Sequence, residues 1–355
     1  MKRASISIII PCLNEKVTIK RSVVDAIKNS QKYFPRKFEV IVADNGSTDG
    51  TLQILKTLRG CRVVHVPVRG YGAALHWGIL NARANYVLFG DADLSYPFSN
   101  LKHFKSTMTS LPDLVLGSRL KGNIEKDAMP PLHRYLGTPI LTWLIRTIYA
   151  IPTTDCNSGM RLVKKSFYLK LNIRNSGMEW ASELLLKTAI KKGKYLEVPI
   201  TFLKDKRGHR PHLSTWSDGW RHLKTIILLK PSSLYLLLVT LPLLAIVLQP
   251  ISFAFSFLLL LLTFVLFLSL LTFDLLKSVI EKRFSPLSNF LCQFALVPLT
   301  GLVSIFTGVF ISIVPDSHLG TKLFLSSSIS IVFMWILLVE TIKTHLINRL
   351  PDKIS

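Results

Sequence analysis

The sequence predicts an α/β domain built on a doubly wound parallel sheet, followed by an all-α membrane domain of four transmembrane helices. Three observations lead there. Short β-branched runs alternate with helical patterns through the first ninety or so residues. Four long runs without a charged residue follow residue 231. The formal net charge of +23 is unevenly shared: residues 1–231 hold 37 Lys and Arg against 16 Asp and Glu, and the remaining 124 hold 7 against 5. A strongly basic globular part joined to an apolar one excludes a wholly soluble enzyme, a secreted disulfide scaffold and a disordered tail.

Residues 5–10 and 39–43 are strand-like, each followed by a polar loop and a helical pattern. Residues 62–66 and 86–89 repeat this, with helices predicted near 14–32, 49–58 and 71–82. Such alternation makes a parallel sheet that takes up ligands at the carboxyl ends of its strands. The polar clusters fall at those ends: Asn14-Glu15, then Asp44-Asn45-Gly46-Ser47-Thr48-Asp49, then Asp91-Ala92-Asp93. Taken alone, residues 44–51 read as a turn with an N-cap at Ser47 or Thr48. Together the clusters form an anionic crevice in a cationic chain. Two carboxylates one residue apart offer oxygen ligands to a hard divalent cation that also bridges substrate phosphates. Gly70-Tyr71-Gly72 lacks the third glycine of a dinucleotide fingerprint, which disfavours a Rossmann dehydrogenase.

The uncharged runs predict transmembrane helices at about 232–248, 251–273, 289–314 and 323–342, near or above the ~17–25 residues that cross a ~30 Å hydrocarbon layer. Lys277, Lys282 and Arg283 lie between the second and third, and Lys343, Arg349 and Lys353 follow the fourth. The positive-inside rule puts the basic domain (1–230), the 274–288 loop and the tail (346–355) on the cytoplasmic side, and four crossings from 231 to 345 agree with it. MKRASISIIIP has the outline of a signal peptide, but its apolar stretch breaks at Pro11 and runs on into a polar helix, so it reads as a strand. Cys12, Cys61, Cys156 and Cys292 show no CxxC or metal-ligand spacing and read as free thiols.

Residues 119–230 hold 21 Lys and Arg against 8 Asp and Glu. Within them, 131–151 is apolar, carries Arg134 and Arg146, and is broken by Pro139 and Pro152. An interfacial helix fits, its apolar face in the headgroup layer and its cations towards lipid phosphates. Residues 215–230, with Trp216, Trp220, Arg221, His222 and Lys224, read as a second such helix. The alternative is two ordinary core helices with solvated basic faces. Glu179 and Glu183, four apart, either pair with Lys187 on one helix face or order the active site.

Ile8-Ile9-Ile10-Pro11-Cys12-Leu13-Asn14-Glu15, Val42-Ala43-Asp44-Asn45-Gly46-Ser47-Thr48-Asp49 and Gly90-Asp91-Ala92-Asp93 resemble the family 2 glycosyltransferases of GT-A fold, a Rossmann-like nucleotide-diphospho-sugar transferase architecture. Over about residues 4–230 the chain is most similar to the polyprenyl-phosphate glycosyltransferases, of the dolichol-phosphate mannose or glucose synthase type. The resemblance implies that Pro11, Leu13, Glu15 and Asp44 hold the base and ribose of a UDP- or GDP-sugar, that Asp91 and Asp93 carry Mg2+ or Mn2+, and that Asp91, Ala92 and Asp93 also belong to the nucleotide-sugar site. Relatives often have Gln where this chain has Ser95, which leaves a hydroxyl or a water for the third metal position. Gly117-Ser118-Arg119 matches a motif whose arginine contacts the lipid phosphate, and Arg134 with Thr138 matches a second phosphate-binding pair. Asp155-Cys156-Asn157-Ser158-Gly159-Met160-Arg161 is similar to a segment near the active centre. For the basic residue that reaches the diphosphate, Arg207, Arg210 and His212 remain open.

A lipid monophosphate needs no general base, because its second pKa is about 6, as for phosphoserine, and it is mostly dianionic at pH 7. Aim and stabilisation of the leaving group then suffice. The expected reaction is therefore inverting transfer of a sugar from a nucleotide-sugar to polyprenyl or dolichyl phosphate, for cell-envelope glycan or glycoprotein assembly. The partners are a donor, a lipid acceptor and the bilayer, with a homo-oligomer possible from resemblance. Alternatives are a processive polysaccharide synthase, although no Q-x-x-R-W motif occurs, and a non-catalytic lipid-sugar flippase or scaffold component. The basic pI of about 10.0 invites a nucleic-acid reading, but no recognition motif supports it.

Overall fold

The computed structural model describes residues 5–208 and 215–230. The four predicted transmembrane helices and the tail lie outside the described residues. The chain divides into two units, Met1–Leu229 and Lys230–Ser355.

The strands are β1 (Ile6–Cys12), β2 (Phe38–Asp44), β3 (Cys61–His65), β4 (Tyr86–Phe89), β5 (Leu114–Ile124), β6 (Arg161–Lys164) and β7 (Tyr195–Phe202). The helices are α1 (Ile19–Tyr33), α2 (Thr51–Thr57), α3 (Tyr71–Asn81), α4 (Leu101–Thr107), α5 (Thr138–Tyr149), α6 (Lys165–Leu171), α7 (Trp180–Ile190) and α8 (Thr215–Leu229). One seven-stranded sheet runs in the order β3-β2-β1-β4-β6-β5-β7. Every residue of β1 is buried, and alternate side chains enter opposite layers, as the period of two requires. Ile6, Ile8 and Ile10 pack with α1 and α4 through Ile19, Val23, Leu101 and Phe104. Ile9, Ile41 and Phe89 pack with α3 and α7 through Leu75, Ile79, Trp180 and Leu184.

The first four strands are parallel, as expected. The wholly parallel sheet is corrected by β6, which runs antiparallel to both β4 and β5. Its direction follows from the connection: α5 leads into a loop at the carboxyl ends, where Asp155 binds Arg119 of β5, and β6 enters the sheet from that side. Helix α1 starts at Ile19 rather than near residue 14, because Asn14 is left-handed (φ 57°) and the chain after it is tied to the neighbouring loop, with the N–H groups of Asn14, Glu15 and Lys16 donated to Ser47, Thr51 and Asp49. The 131–151 segment becomes a π-helical turn over His133–Gly137 that continues into α5. Among the described residues no helix is long and apolar enough to cross a membrane.

Candidate active site

The crevice is built first from backbone. Asn14 takes a left-handed conformation (φ 57°) at the end of β1, and its Oδ1 accepts the N–H of Thr48. This locks the first two loops together. Asp44 is 1% exposed; its carboxylate accepts the N–H groups of Gly46 and Ser47, and His65 Nδ1 stands 3.8 Å away. The turn and the site are thus one structure. Pro11 lies in β1 beside Ala43, Leu13 is half-buried at the strand end, and Glu15 is buried with its Oε2 accepting the Thr18 hydroxyl.

Asp91 and Asp93 follow β4. Ala92 between them turns into the core. Asp91 Oδ1 accepts the Tyr71 hydroxyl at 2.9 Å. Its Oδ2 lies against Gly159, where an added Cβ would stand 3.0 Å from that oxygen. Desolvation, and then the charge of Asp93, push the Asp91 carboxyl up to about 7. Asp93 Oδ1 accepts both the N–H and the hydroxyl of Ser95, at 2.9 and 2.6 Å, so the Ser95 proton is turned to Asp93 while its oxygen keeps its lone pairs. Among the described residues no three His, Cys, Asp or Glu side chains gather into a metal site.

Of the three basic residues named for the diphosphate, Arg207 lies among the described residues and reaches the carboxylates of the crevice. Its Nη2 pairs with Asp93 Oδ2, its Nη1 lies 3.5 Å from Glu15 Oε1, and its Nε lies 2.7 Å from Asp205. The segment before it is fixed to the β4 loop, with Leu203 N–H donating to Ser95 O and Lys206 N–H to Asp93 O. Arg210 and His212 lie outside the described residues.

On the acceptor side, Arg119 is 8% exposed and bidentate to Asp155, Nε to Oδ2 at 2.8 Å and Nη2 to Oδ1 at 2.7 Å, with its guanidinium over the Phe202 ring. Asp155 also accepts the Arg119 N–H. Thr138 is buried, and its hydroxyl accepts a long 3.4 Å hydrogen bond from Asn157. Arg134 is half-buried over the Tyr135 ring. Burial, and then the Arg119 charge, lower the pKa of the neighbouring His133. From that turn along α5, Leu132, Leu136, Ile140 and Trp143 are all exposed, Trp143 by 65%, and their spacing sets them on one helical face.

The structure therefore gathers Glu15, Asp93 and Arg207 and places Asp91 against Tyr71 and Gly159, but gives Arg119 to Asp155. Sequence reasoning missed Tyr71 as the partner of Asp91. It also missed Glu197, which accepts from Thr153, Thr154 and Tyr195 and pairs with Lys121. Glu183 pairs with Lys187, and its carboxylate also accepts the N–H groups of Arg174 and Asn175.

Residues 7–171 match the model of Glycosyl transferase family 2. The low-salt glycan biosynthesis hexosyltransferase of Haloferax volcanii is 33% identical over 235 residues, which are 65% of this chain and 55% of that protein. The chain thus spans little more than half the length of that relative. The dolichol-phosphate mannosyltransferase of Mycosarcoma maydis is 26% identical over 208 residues, 56% of this chain and 70% of its own. The dolichyl-phosphate beta-glucosyltransferase of Saccharomyces cerevisiae is 26% identical over 227 residues, 56% of this chain and 66% of its own. Among solved structures, glucosyl-3-phosphoglycerate synthase from Mycobacterium tuberculosis, in complex with Mn2+, UDP and phosphoglyceric acid, is similar with a TM-score of 0.51 at 23% identity, over 64% of this chain and 78% of that one. The shared architecture is the GT-A type α/β domain with a mixed sheet.

Proposed function

We propose, for a chain that carries a glycosyl transferase family 2 domain, that it moves a sugar from a nucleotide-sugar to polyprenyl or dolichyl phosphate, with inversion at the anomeric carbon. The observation that carries this reading is the carboxylate pair Asp91 and Asp93 at the end of β4, with Arg207 as its counter-charge. The lipid-phosphate acceptor is supported by the names of the dolichol-phosphate relatives, and a UDP donor with Mn2+ by the structural neighbour.

The residues fit Mg2+ or Mn2+: the donors are hard carboxylate oxygens, one of them holds its proton unusually well, and the other already pairs with a cation. Asp91 and Asp93 would hold the divalent cation, which would supply Lewis-acid stabilisation of the leaving diphosphate. Ser95 acts behind the pair, holding the Asp93 carboxylate in place. Pro11, Leu13, Glu15 and Asp44 line the place of the base and ribose. Arg207 exchanges Asp93 for the diphosphate as the donor enters. Arg134 and Thr138 orient the acceptor phosphate, and Arg119, fixed by Asp155, lends its remaining N–H groups and charge. No side chain need remove a proton, since the attacking phosphate oxygen is already anionic near pH 7. The exposed face of α5 rests in the headgroup layer, and the predicted helices after residue 231 span the membrane, with the domain and both termini on the cytoplasmic side.

The test is incubation of the purified protein in detergent with polyprenyl phosphate and radiolabelled UDP- and GDP-sugars, with and without Mn2+. The reading requires label in the lipid phase for at least one donor and only with the cation. Label released solely as free sugar contradicts it.

A further inference from the structure

We propose that Tyr71 is a positioning residue for the cation pair, fixing the Asp91 carboxylate so that it meets the divalent ion without rearrangement. The inference rests on the reading of Asp91 and Asp93 as cation ligands.

Tyr71 is the first residue of α3, and its hydroxyl donates to Asp91 Oδ1 at 2.9 Å across 20 residues of sequence. The phenol has little freedom, because the start of α3 is clamped on both flanks. Gly70 adopts φ +138°, and a Cβ there would fall 2.1 Å from Ser176 O. A Cβ on Gly72 would fall 2.8 Å from Gly177 O and 2.5 Å from the Trp180 Cβ. Ala73 N–H donates to Ser176 O at 3.0 Å. The 174–177 loop that receives these contacts is held by Glu183 through the Arg174 and Asn175 N–H groups. On the other flank, Gly70 N–H donates to Asn45 Oδ1, beside Asp44.

The chemistry of the contact matters as much as its rigidity. The two carboxylates have different partners: a neutral hydroxyl on Asp91 and a guanidinium on Asp93. A guanidinium competes with an incoming cation for negative charge, so Arg207 must yield. A hydroxyl occupies one lone pair of Oδ1 and removes no charge, so the Tyr71 contact persists while the cation binds. With Gly159 close to Oδ2, the carboxylate is held from two sides.

Tyr71→Phe keeps the ring and its packing and removes only the donor. The measurement is Mn2+ affinity of the intact protein by EPR of free Mn2+, with the melting temperature recorded alongside and Asp93→Asn as the reference variant. Outer-shell substitutions cost about 10–100-fold in metal affinity, so Tyr71→Phe is expected to weaken Mn2+ binding by about tenfold or more at an unchanged melting temperature. Tight binding retained by Tyr71→Phe but lost by Asp93→Asn overturns the role of Tyr71 and leaves the proposed function standing. Mn2+ binding indifferent to Asp93→Asn removes the carboxylate pair itself, and the Tyr71 role with it.

Discussion

Arg207, on the loop that leaves β7, pairs with Asp93, at the end of β4 and 114 residues away in sequence. The carboxylate pair thus already faces a positive charge, and in the proposed reading a metal ion and Arg207 compete for Asp93. Removing this competitor separates two effects. In Arg207→Gln, Mn2+ measured without nucleotide should bind more tightly than in the wild type, while the donor KM rises by about tenfold or more, since a hydrogen bond to a charged group contributes roughly 1.5–3 kcal/mol. EPR titration and donor-saturation kinetics check the two halves.

Arg134 lies in the turn that leads into α5, with its guanidinium over the Tyr135 ring. Arg134→Ala should raise the KM for polyprenyl phosphate several-fold and leave donor binding unchanged. Kinetics with each substrate varied in turn check this; a loss confined to the donor side contradicts the assignment.

The Arg119–Asp155 pair lies almost wholly out of water. Breaking such a pair by removing one partner costs about 3–5 kcal/mol, because the other charge stays buried. Asp155→Ala and Arg119→Met should therefore each lower the melting temperature sharply. Thermal unfolding of both variants checks the loss.

His222 joins α8 to α7 through a 2.7 Å hydrogen bond between its Nδ1 and Ser182 Oγ. Burial pushes its pKa down to about 4, against an opposing pull from Asp218. Above the ordinary value of 6.5 the ring is neutral folded or unfolded, and its titration leaves stability unchanged. As pH falls from 6.5 towards 4, only the unfolded chain gains the proton, so stability is lost over that window. Between pH 7.5 and 5 this amounts to about 2 kcal/mol at 1.36 kcal/mol per pKa unit. His222→Phe should flatten that part of the stability–pH curve, read by unfolding of the intact protein.

Much of this architecture was legible in the residues themselves. The β-branched runs marked the parallel strands because both faces of a covered sheet demand apolar side chains, and the acids marked the strand ends because nothing else in the domain wants them there. Other features depend on contacts that spacing does not encode. The direction of β6 is set by the loop that feeds it from the carboxyl ends. Arg119 and Asp155 meet across 36 residues, so a motif built around the arginine alone does not show its partner. Tyr71 sits between two glycines, and the positive φ of Gly70 and the close approaches at both, visible only in three dimensions, hold the helix start from which its hydroxyl reaches Asp91.

The role of Asp93 is tested most directly by transfer of radiolabelled sugar into the lipid phase by the wild type and by Asp93→Ala, with polyprenyl phosphate and Mn2+. Loss of a preorganised charge-stabilising group costs roughly 10²–10³-fold in rate, so Asp93→Ala should fall by at least that factor while the protein remains folded. Equal turnover by the two proteins contradicts the account.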